Sequence, residues 1–281
     1  MSTDFPYDSV FIVGCGLIGA SLGLAIRGRC PSVRVVVADL PRVISTESVR
    51  RVTGEVVDAT DSAAMRRAYQ STDCAVLAAP VGVIKAHLDV ALTHSPCVTD
   101  CGSTKREVWA EARLSSGSPV FVAGHPMAGH PVGGAASADP SLFEGRRWIL
   151  CPEGATKENL ASVQAMVACV GAQPVLLDAA SHDAAVAVTS HVPQLLASLL
   201  AVLGEEESAL PASGPGYESA TRVAGGQAAM WRDIYATNAD QVGRVARMLG
   251  ERLLTVGDAL AQGDVAQAVE VLEQARAVRS E

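Results

Sequence analysis

Aromatic side chains are scarce in this chain: Phe, Trp and Tyr make up only 4% of 281 residues. Proteins that grip single-stranded nucleic acid stack bases on such rings, so that class is disfavoured from the outset. Positive charge is also short. Twenty-two Lys and Arg stand against 30 Asp and Glu, for a net charge of −8, whereas a phosphate-backbone surface needs concentrated cations. No nucleic-acid partner is expected, although a local basic pocket for a small anion is compatible with these numbers. No apolar run approaches the ~18 residues of a membrane span. The opening MSTDFPYD carries two acids and leads straight into an apolar strand, unlike a secretory leader. The seven cysteines are odd in number and scattered, so they do not read as a disulfide framework. Cys97 and Cys101 have no second pair or nearby His to complete a metal set, and no metal is expected. These exclusions leave a cytoplasmic protein with reduced thiols and neither membrane nor nucleic acid as partner.

What is abundant is apolar material, at 49% of residues against 19% charged, enough for a sizeable core. The length favours two domains. Through the first half, strand-like and helix-like segments alternate. Strands are expected at 9–16, 33–39, 54–59, 74–80, 96–100 and 119–124, with helices at 17–28, 62–70, 82–93 and 104–113. Continuous apolar strands joined by helices imply α/β architecture with a doubly wound, Rossmann-like parallel sheet covered on both faces. Near Pro152 the pattern changes. A helix at 157–171 and a strand at 173–178 are followed by almost wholly helical sequence, at about 182–204, 226–250 and 251–277. The expected division is therefore 1–152 and 153–281, the second part mostly helical, with a linker-like ESALPASGPG at 207–216. Stretches such as SHVPQLLASLLAVLG are too apolar for solvent, so these helices must pack on each other or on a second subunit. No regulatory domain is expected after the last helix.

Gly14, Gly16 and Gly19 form G-x-G-x-x-G between the first strand and the first helix. Alone this is weak. An acid, Asp39, ends the next strand 20 residues beyond the third glycine, and that context is the dinucleotide-binding fingerprint. The glycines permit a tight turn and close approach of a pyrophosphate to the helix N-terminus, while the carboxylate accepts ribose hydroxyls. Asp39 favours NAD, since it repels a 2′-phosphate; Arg42, three residues on, keeps NADP open. Leu17 and Ile18 within the motif, and Pro80 at the end of the 74–80 strand, complete the expected cofactor contacts. The bland alternative is a glycine turn with no ligand.

Two segments fall on the carboxyl edge of the sheet, where such folds bind ligands. In DCGSTK (100–105), Ser103 either bonds a substrate or caps the following helix. In GHPMAGHPVGG (124–134), His125 follows a strand and is placed to take a proton while a hydride leaves the same carbon. A metal pair with His130 is a poor reading, because no third ligand accompanies the two histidines.

Taken together, GCGLIGASLG, DCGS, GHPMAG, Leu142-Phe143, HDAAVAVTSHVPQLLA (182–197), TRVA, MWRDI and Asn238 resemble the prephenate/arogenate dehydrogenases of tyrosine biosynthesis. The motifs span most of the chain in order. The resemblance implies a nucleotide-binding domain followed by a helical substrate domain that forms a homodimer. It also implies NAD-dependent oxidative decarboxylation of a cyclohexadienyl carboxylate, prephenate first. His125 would accept the ring hydroxyl proton, Ser103 would orient it, Arg222 would bind the substrate carboxylate, and His191 would line the pocket. Bland readings exist for these residues: a core histidine for His191, a structural pair with Glu218 for Arg222, a helix start for His182 and Asp183.

The chain also departs from its relatives. His130-Pro131-Val132-Gly133-Gly134 replaces a short polar segment, so a carboxylate often found near position 131 is absent. Gln194 stands where a second histidine is common. These positions meet the substrate's ring substituents, so His130 and Gln194 are candidate specificity residues, and arogenate or 4-amino-4-deoxyprephenate are alternative substrates. A β-hydroxyacid dehydrogenase or imine reductase would share the architecture. Those hydroxyacid enzymes generally use a lysine on the helical domain, and the only lysine after residue 105 is Lys157. A catalytically silent nucleotide-binding protein is disfavoured by the joint presence of Ser103, His125, His191 and Arg222.

Overall fold

All five residues of Ser9–Val13 are buried, which a strand achieves only when both of its faces are covered. In the computed structural model, which describes residues 5–280 except 116, 118, 119 and 131, this segment is β1. It is followed by β2 (Arg34–Asp39), β3 (Glu55–Asp58), β4 (Cys74–Leu77), β5 (Val98–Asp100), β6 (Phe121–Pro126), β7 (Arg147–Cys151) and β8 (Gln173–Leu176). They form one eight-stranded sheet in the order β3-β2-β1-β4-β5-β6-β7-β8. All pairings are parallel except β6 with β7. Alternation along β1 sends Val10 and Ile12 to one face and Phe11 and Val13 to the other. The first face is covered by the Leu17–Arg29 and Lys157–Cys169 helices, the second by Ser62–Gln70, Val81–His94 and Arg106–Ala112. The doubly wound fold class is as expected.

Two features of the sheet differ from the sequence reading. β7 is an additional, antiparallel strand. Its five residues begin with the second of two arginines and precede Pro152, leaving only four apolar residues, too short a signal to stand out. The sheet also runs on past the expected boundary at 152, because the Lys157–Cys169 helix and β8 belong to it. Helical structure takes over at Ala179. Cys15, Cys74, Cys97, Cys101 and Cys151 are free thiols, and the Cys30 and Cys169 sulfurs lie 3.1 Å apart.

The helical region opens with one continuous helix, Ala179–Glu206, which is 28 residues long with a mean hydropathy of 1.7 in its most apolar window. By length and composition it could cross a membrane, contrary to the expectation that no segment qualifies. Its inward face carries buried His182, Asp183, His191 and Gln194, however, and Asp183 is hydrogen-bonded to the sheet region, an unsuitable arrangement for hydrocarbon. Residues Ala187–His191 form a wide π turn closed by Val192 N–H to Ala187 O. Pro193 follows directly; it cannot donate to residue 189, and its ring would crowd that carbonyl in a regular helix. The remaining helices are Pro215–Thr221, Ala228–Thr237, Ala239–Ala261 and Ala266–Ser280. The break expected at 250/251 is absent. The chain breaks instead at fully buried Asn238 and at Gly263, whose φ of 81° ends the longer helix.

Candidate active site

The strand order reverses between β1 and β4, and the glycine turn sits at that switch point. Gly14 has φ 98°, and a Cβ there would lie 2.4 Å from Ala78 O, while one on Gly19 would lie 1.9 Å from Gly14 O. These two glycines are demanded by close packing of the turn itself. Gly16 is different: a Cβ on it would meet nothing within 4 Å. Open space there adjoins the start of the Leu17–Arg29 helix, whose first turn contains no acid and whose N-cap offers no side-chain bond. Those free N–H groups suit a pyrophosphate. Leu17 and Ile18 are half-buried in that first turn, and Pro80, exposed, caps the Val81–His94 helix across the crevice. Asp39 ends β2 and is held by Cys15 N–H to Oδ2 (2.7 Å) and Leu40 N–H to Oδ1 (2.6 Å). Its oxygens keep lone pairs for a ribose diol, so the cradle fits a dinucleotide. Arg42 is exposed nearby.

His125 lies near the end of β6, two strands along the same edge. The segment is braced by a buried pair: Lys105 Nζ bonds the Asp100 carboxylate and donates to Gly124 O at 2.7 Å, while Gly124 N–H donates to Asp100 Oδ1 at 2.9 Å. Backbone pairing of β5 with β6 covers only Val98–Phe121 and Thr99–Val122. These side-chain bonds take over where the ladder stops, immediately before His125.

His125 Nδ1 is 2.8 Å from His182 Nε2, and His182 Nδ1 is 2.8 Å from Asp183 Oδ1. Asp183 also accepts from Lys105 N–H (2.7 Å), Arg106 N–H (3.0 Å) and Arg106 Nε–H (3.3 Å). Burial pushes the Asp183 carboxyl upward, but bonds from His182 and from the Arg106 and Lys105 backbone outweigh it, so the carboxyl stays below its usual range. His125 falls well below the histidine range, chiefly through burial and then through His182, Lys105 and His191 around it. His125 is thus a neutral imidazole.

His191 is buried beside the edge of Trp231, ring centres 6.0 Å apart, and its Nδ1 is 3.3 Å from Asn238 Nδ2. Burial pushes it down to about 4, with Asp183 acting in the opposite sense. Asn238 also donates to Asp183 O at 2.8 Å and accepts from Arg106 Nη2 at 3.1 Å. One hydrogen-bonded network therefore joins β6, the 101–106 segment and two helices of the helical region.

The other expected residues stand as follows. Ser103 is half-buried in the loop after β5 and makes no hydrogen bond among the described residues; the helix it was expected to cap starts only at Arg106. Gln194 is buried, its amide 3.4 Å from Ser198 Oγ. His130 is exposed, its Nδ1 accepting Val132 N–H at 3.2 Å. Pro131 lies outside the described residues. Arg222 is exposed at the end of the Pro215–Thr221 helix, and no ion pair with Glu218 forms among the described residues. The sequence reading gave His182 and Asp183 only a helix start, took Asn238 only as part of the family resemblance, and assigned no role to Lys105 or Arg106. The available signal was a polar His-Asp pair on an otherwise apolar helix, which must find buried partners if that helix packs inward.

Residues 22–176 match the family described as prephenate dehydrogenase, nucleotide-binding domain, and residues 178–274 match its dimerization domain. The glycine turn at 14–19 lies ahead of the first match and rests on its own geometry. The prephenate dehydrogenase of Bacillus subtilis (strain 168) is 32% identical over 248 residues, covering 84% of this chain and 65% of that protein. This chain therefore spans just under two thirds of that relative's length. The cyclohexadienyl dehydrogenase of Zymomonas mobilis is 29% identical over 243 residues, 83% of this chain and 82% of that one. Among solved structures, prephenate dehydrogenase from A. aeolicus in complex with hydroxyphenyl propionate and NAD+ has a TM-score of 0.84 at 25% identity, covering 97% of both chains. The two family matches meet where the sheet gives way to the helices, and on that footing the chain belongs to the prephenate dehydrogenase family.

Proposed function

We propose that this chain is an NAD-dependent dehydrogenase that converts prephenate to 4-hydroxyphenylpyruvate by oxidative decarboxylation. The observation that carries the reading is His125: a neutral imidazole held through Nδ1 at the carboxyl edge of the sheet, near a cradle that fits a dinucleotide. Family membership supplies the substrate class. The Bacillus relative is a prephenate dehydrogenase, and the A. aeolicus structure holds a hydroxyphenyl compound with NAD+.

Gly14, Gly16, Leu17, Ile18, Gly19, Asp39 and Pro80 form the cofactor cradle, and NAD+ bound there supplies the hydride acceptor. His125 accepts the proton of the ring C4 hydroxyl, so that the oxygen's electrons form C4=O as the C4–H bond leaves as hydride. The electrons of the ring carbon–carboxylate bond then pass through the diene to that oxygen, releasing CO2 and forming the aromatic ring. Arg222 binds the substrate carboxylate with its planar fork, being exposed and without an ion pair among the described residues. His191 lines the ring site as a neutral group, and Ser103 bonds the hydroxyl alongside His125. The helical region pairs with a second copy, and the enzyme works in the cytoplasm as a homodimer.

A second reading changes only the substrate. Arogenate or 4-amino-4-deoxyprephenate is favoured if buried Gln194 and exposed His130 meet the ring substituents, because neither matches the usual residue there. NADH absorbance with purified protein and each of the three substrates tests both readings. Prephenate turnover is expected to exceed the other two. Tight NAD+ binding with turnover of none of them would sink the proposal, and turnover of another substrate alone would replace prephenate.

A further inference from the structure

Beyond holding His125 in place, the buried network dictates where its proton sits. An ionised carboxylate only accepts, so His182 Nδ1, 2.8 Å from Asp183 Oδ1, must carry a hydrogen. A neutral imidazole has one N–H, which leaves His182 Nε2 as an acceptor. Its partner at 2.8 Å, His125 Nδ1, must then donate. The lone pair of His125 is thereby left on Nε2, which has no partner among the described residues.

The same logic gives the opposite answer for His191. A guanidinium only donates, so the Asn238 atom 3.1 Å from Arg106 Nη2 is its oxygen. The Asn238 amide nitrogen then faces Asp183 O and, at 3.3 Å, His191 Nδ1. That nitrogen of His191 must be the acceptor, and its single proton lies on Nε2. Arg106 and Asp183 are themselves joined, with Nε 3.3 Å from Oδ2.

We propose that the Asp183–Arg106 pair, acting through His182 and Asn238, holds two imidazoles, one half-buried and one buried, in opposite tautomers: His125 with a bare Nε2 that takes a proton, and His191 with an Nε2–H that donates a hydrogen bond. His182 and Asn238 are positioning residues for these two. When His125 gains a proton on Nε2, its Nδ1–H still points at His182 Nε2. Passing that proton one step makes His182 an imidazolium against Asp183, so the positive charge is matched by a buried carboxylate. His191 at the same time offers a donor suited to a carboxylate or carbonyl oxygen. The catalytic use of this arrangement rests on the dehydrogenase reading above, whereas the tautomer assignment does not.

Long-range 1H–15N NMR of the full chain labelled with 15N-histidine reads tautomers directly, with His125→Asn and His191→Asn assigning the signals. The wild-type protein at neutral pH is expected to show His125 protonated on Nδ1 and His191 on Nε2. In His182→Leu, which removes the acceptor, His125 is expected to shift toward the Nε2-protonated form, with kcat falling about 10²-fold or more while the Kd for NAD+ holds. His182→Gln, whose carbonyl can accept from Nδ1, should restore the tautomer and part of the rate. A wild-type spectrum with the His125 proton on Nε2 overturns the proposal even if His182→Leu does not fold. A His182→Leu protein with unchanged His125 tautomer and kcat overturns it equally. Expected tautomers without turnover of any cyclohexadienyl substrate would leave this assignment standing and remove the dehydrogenase reading.

Discussion

The sheet region and the helical region solve the burial problem in opposite ways. Around the sheet, strands such as β1 and β4 are buried on both faces, and two large clusters of fully enclosed side chains cover them. The helical region's own cluster consists of Ala187, Val192, Val242 and Val245, with Tyr235 and Ala246 against it. Meanwhile Leu253, Leu254 and Leu272 stand 64%, 69% and 69% exposed. Scattered apolar exposure is ordinary, but leucines accumulating on consecutive helices mark a surface meant to be covered. The helical region is well enclosed in one place, where His182, Asp183, His191 and Asn238 lean on Lys105 and Arg106 beneath them. The lesson is a division of labour. The sheet region is a finished body that holds His125, the base proposed above, and the helical region is finished only by what it packs against: the sheet on one side and, on the proposed reading, a second copy on the other.

If that division is right, the largest effect should come from the rigid side. His125→Asn is expected to lower turnover by about 10²–10⁴-fold, the usual contribution of a positioned base. The Kd for NAD+ should stay near wild type, because the cradle lies at β1 and β2. Near-normal NADH production would move the base elsewhere. Next comes the brace beneath it. Lys105→Met leaves Asp100 buried without its cation, which costs about 3–5 kcal/mol in a well-packed interior. The exposed pair Arg29–Glu144, 2.5 Å apart on the same body, provides the contrast: Glu144→Gln should cost about 0–1 kcal/mol. Urea denaturation midpoints compare the two. Equal small losses would mean water reaches Lys105 and the sheet edge is not the closed body it looks to be.

The same contrast governs how much was legible in the sequence. β1, β2 and β4 announce themselves because burial on both faces leaves unbroken apolar runs, and the glycine turn follows from their ends. β7 did not, since a five-residue strand that itself begins with an arginine carries little periodicity. His125 could be placed because a strand end fixes its position along the edge. His182 and Asp183 could not, for they read as a helix start. In fact the helix begins earlier, with the Asp178 side chain capping Ser181 N–H, and their partners lie 57 and 77 residues away in sequence. Ser103 and Arg222 show the converse difficulty. Each was offered a local alternative, a cap and an i−4 ion pair, and neither forms among the described residues, so nearest-neighbour reasoning along the chain does not explain them.

The exposed leucines give a test of the unfinished side. Leu253→Glu with Leu254→Glu places two carboxylates on the face expected to meet a second copy. Light scattering should report about half the wild-type mass, while NAD+ binding on the sheet side is retained. An unchanged dimer would move the covering surface elsewhere on the helices, and a wild-type protein of one chain's mass would remove the second copy from the account.

The smallest effect reads how firmly the helical region is pressed onto the sheet. His191 titrates at about 4 when folded, against 6.5 for an unhindered imidazole, because burial resists its charge. Between these values the unfolded chain binds a proton that the folded chain refuses. Stability contributed by neutral His191 is therefore complete above pH 6.5, falls as pH drops toward about 4, and changes no further below that. His125, depressed for the same first reason, acts in the same direction. Melting temperatures across this range should fall toward acid in the wild-type protein and fall less steeply in His191→Leu. Equal slopes would mean that His191 is reached by water, and that the junction of the two regions opens far more readily than its hydrogen bonds imply.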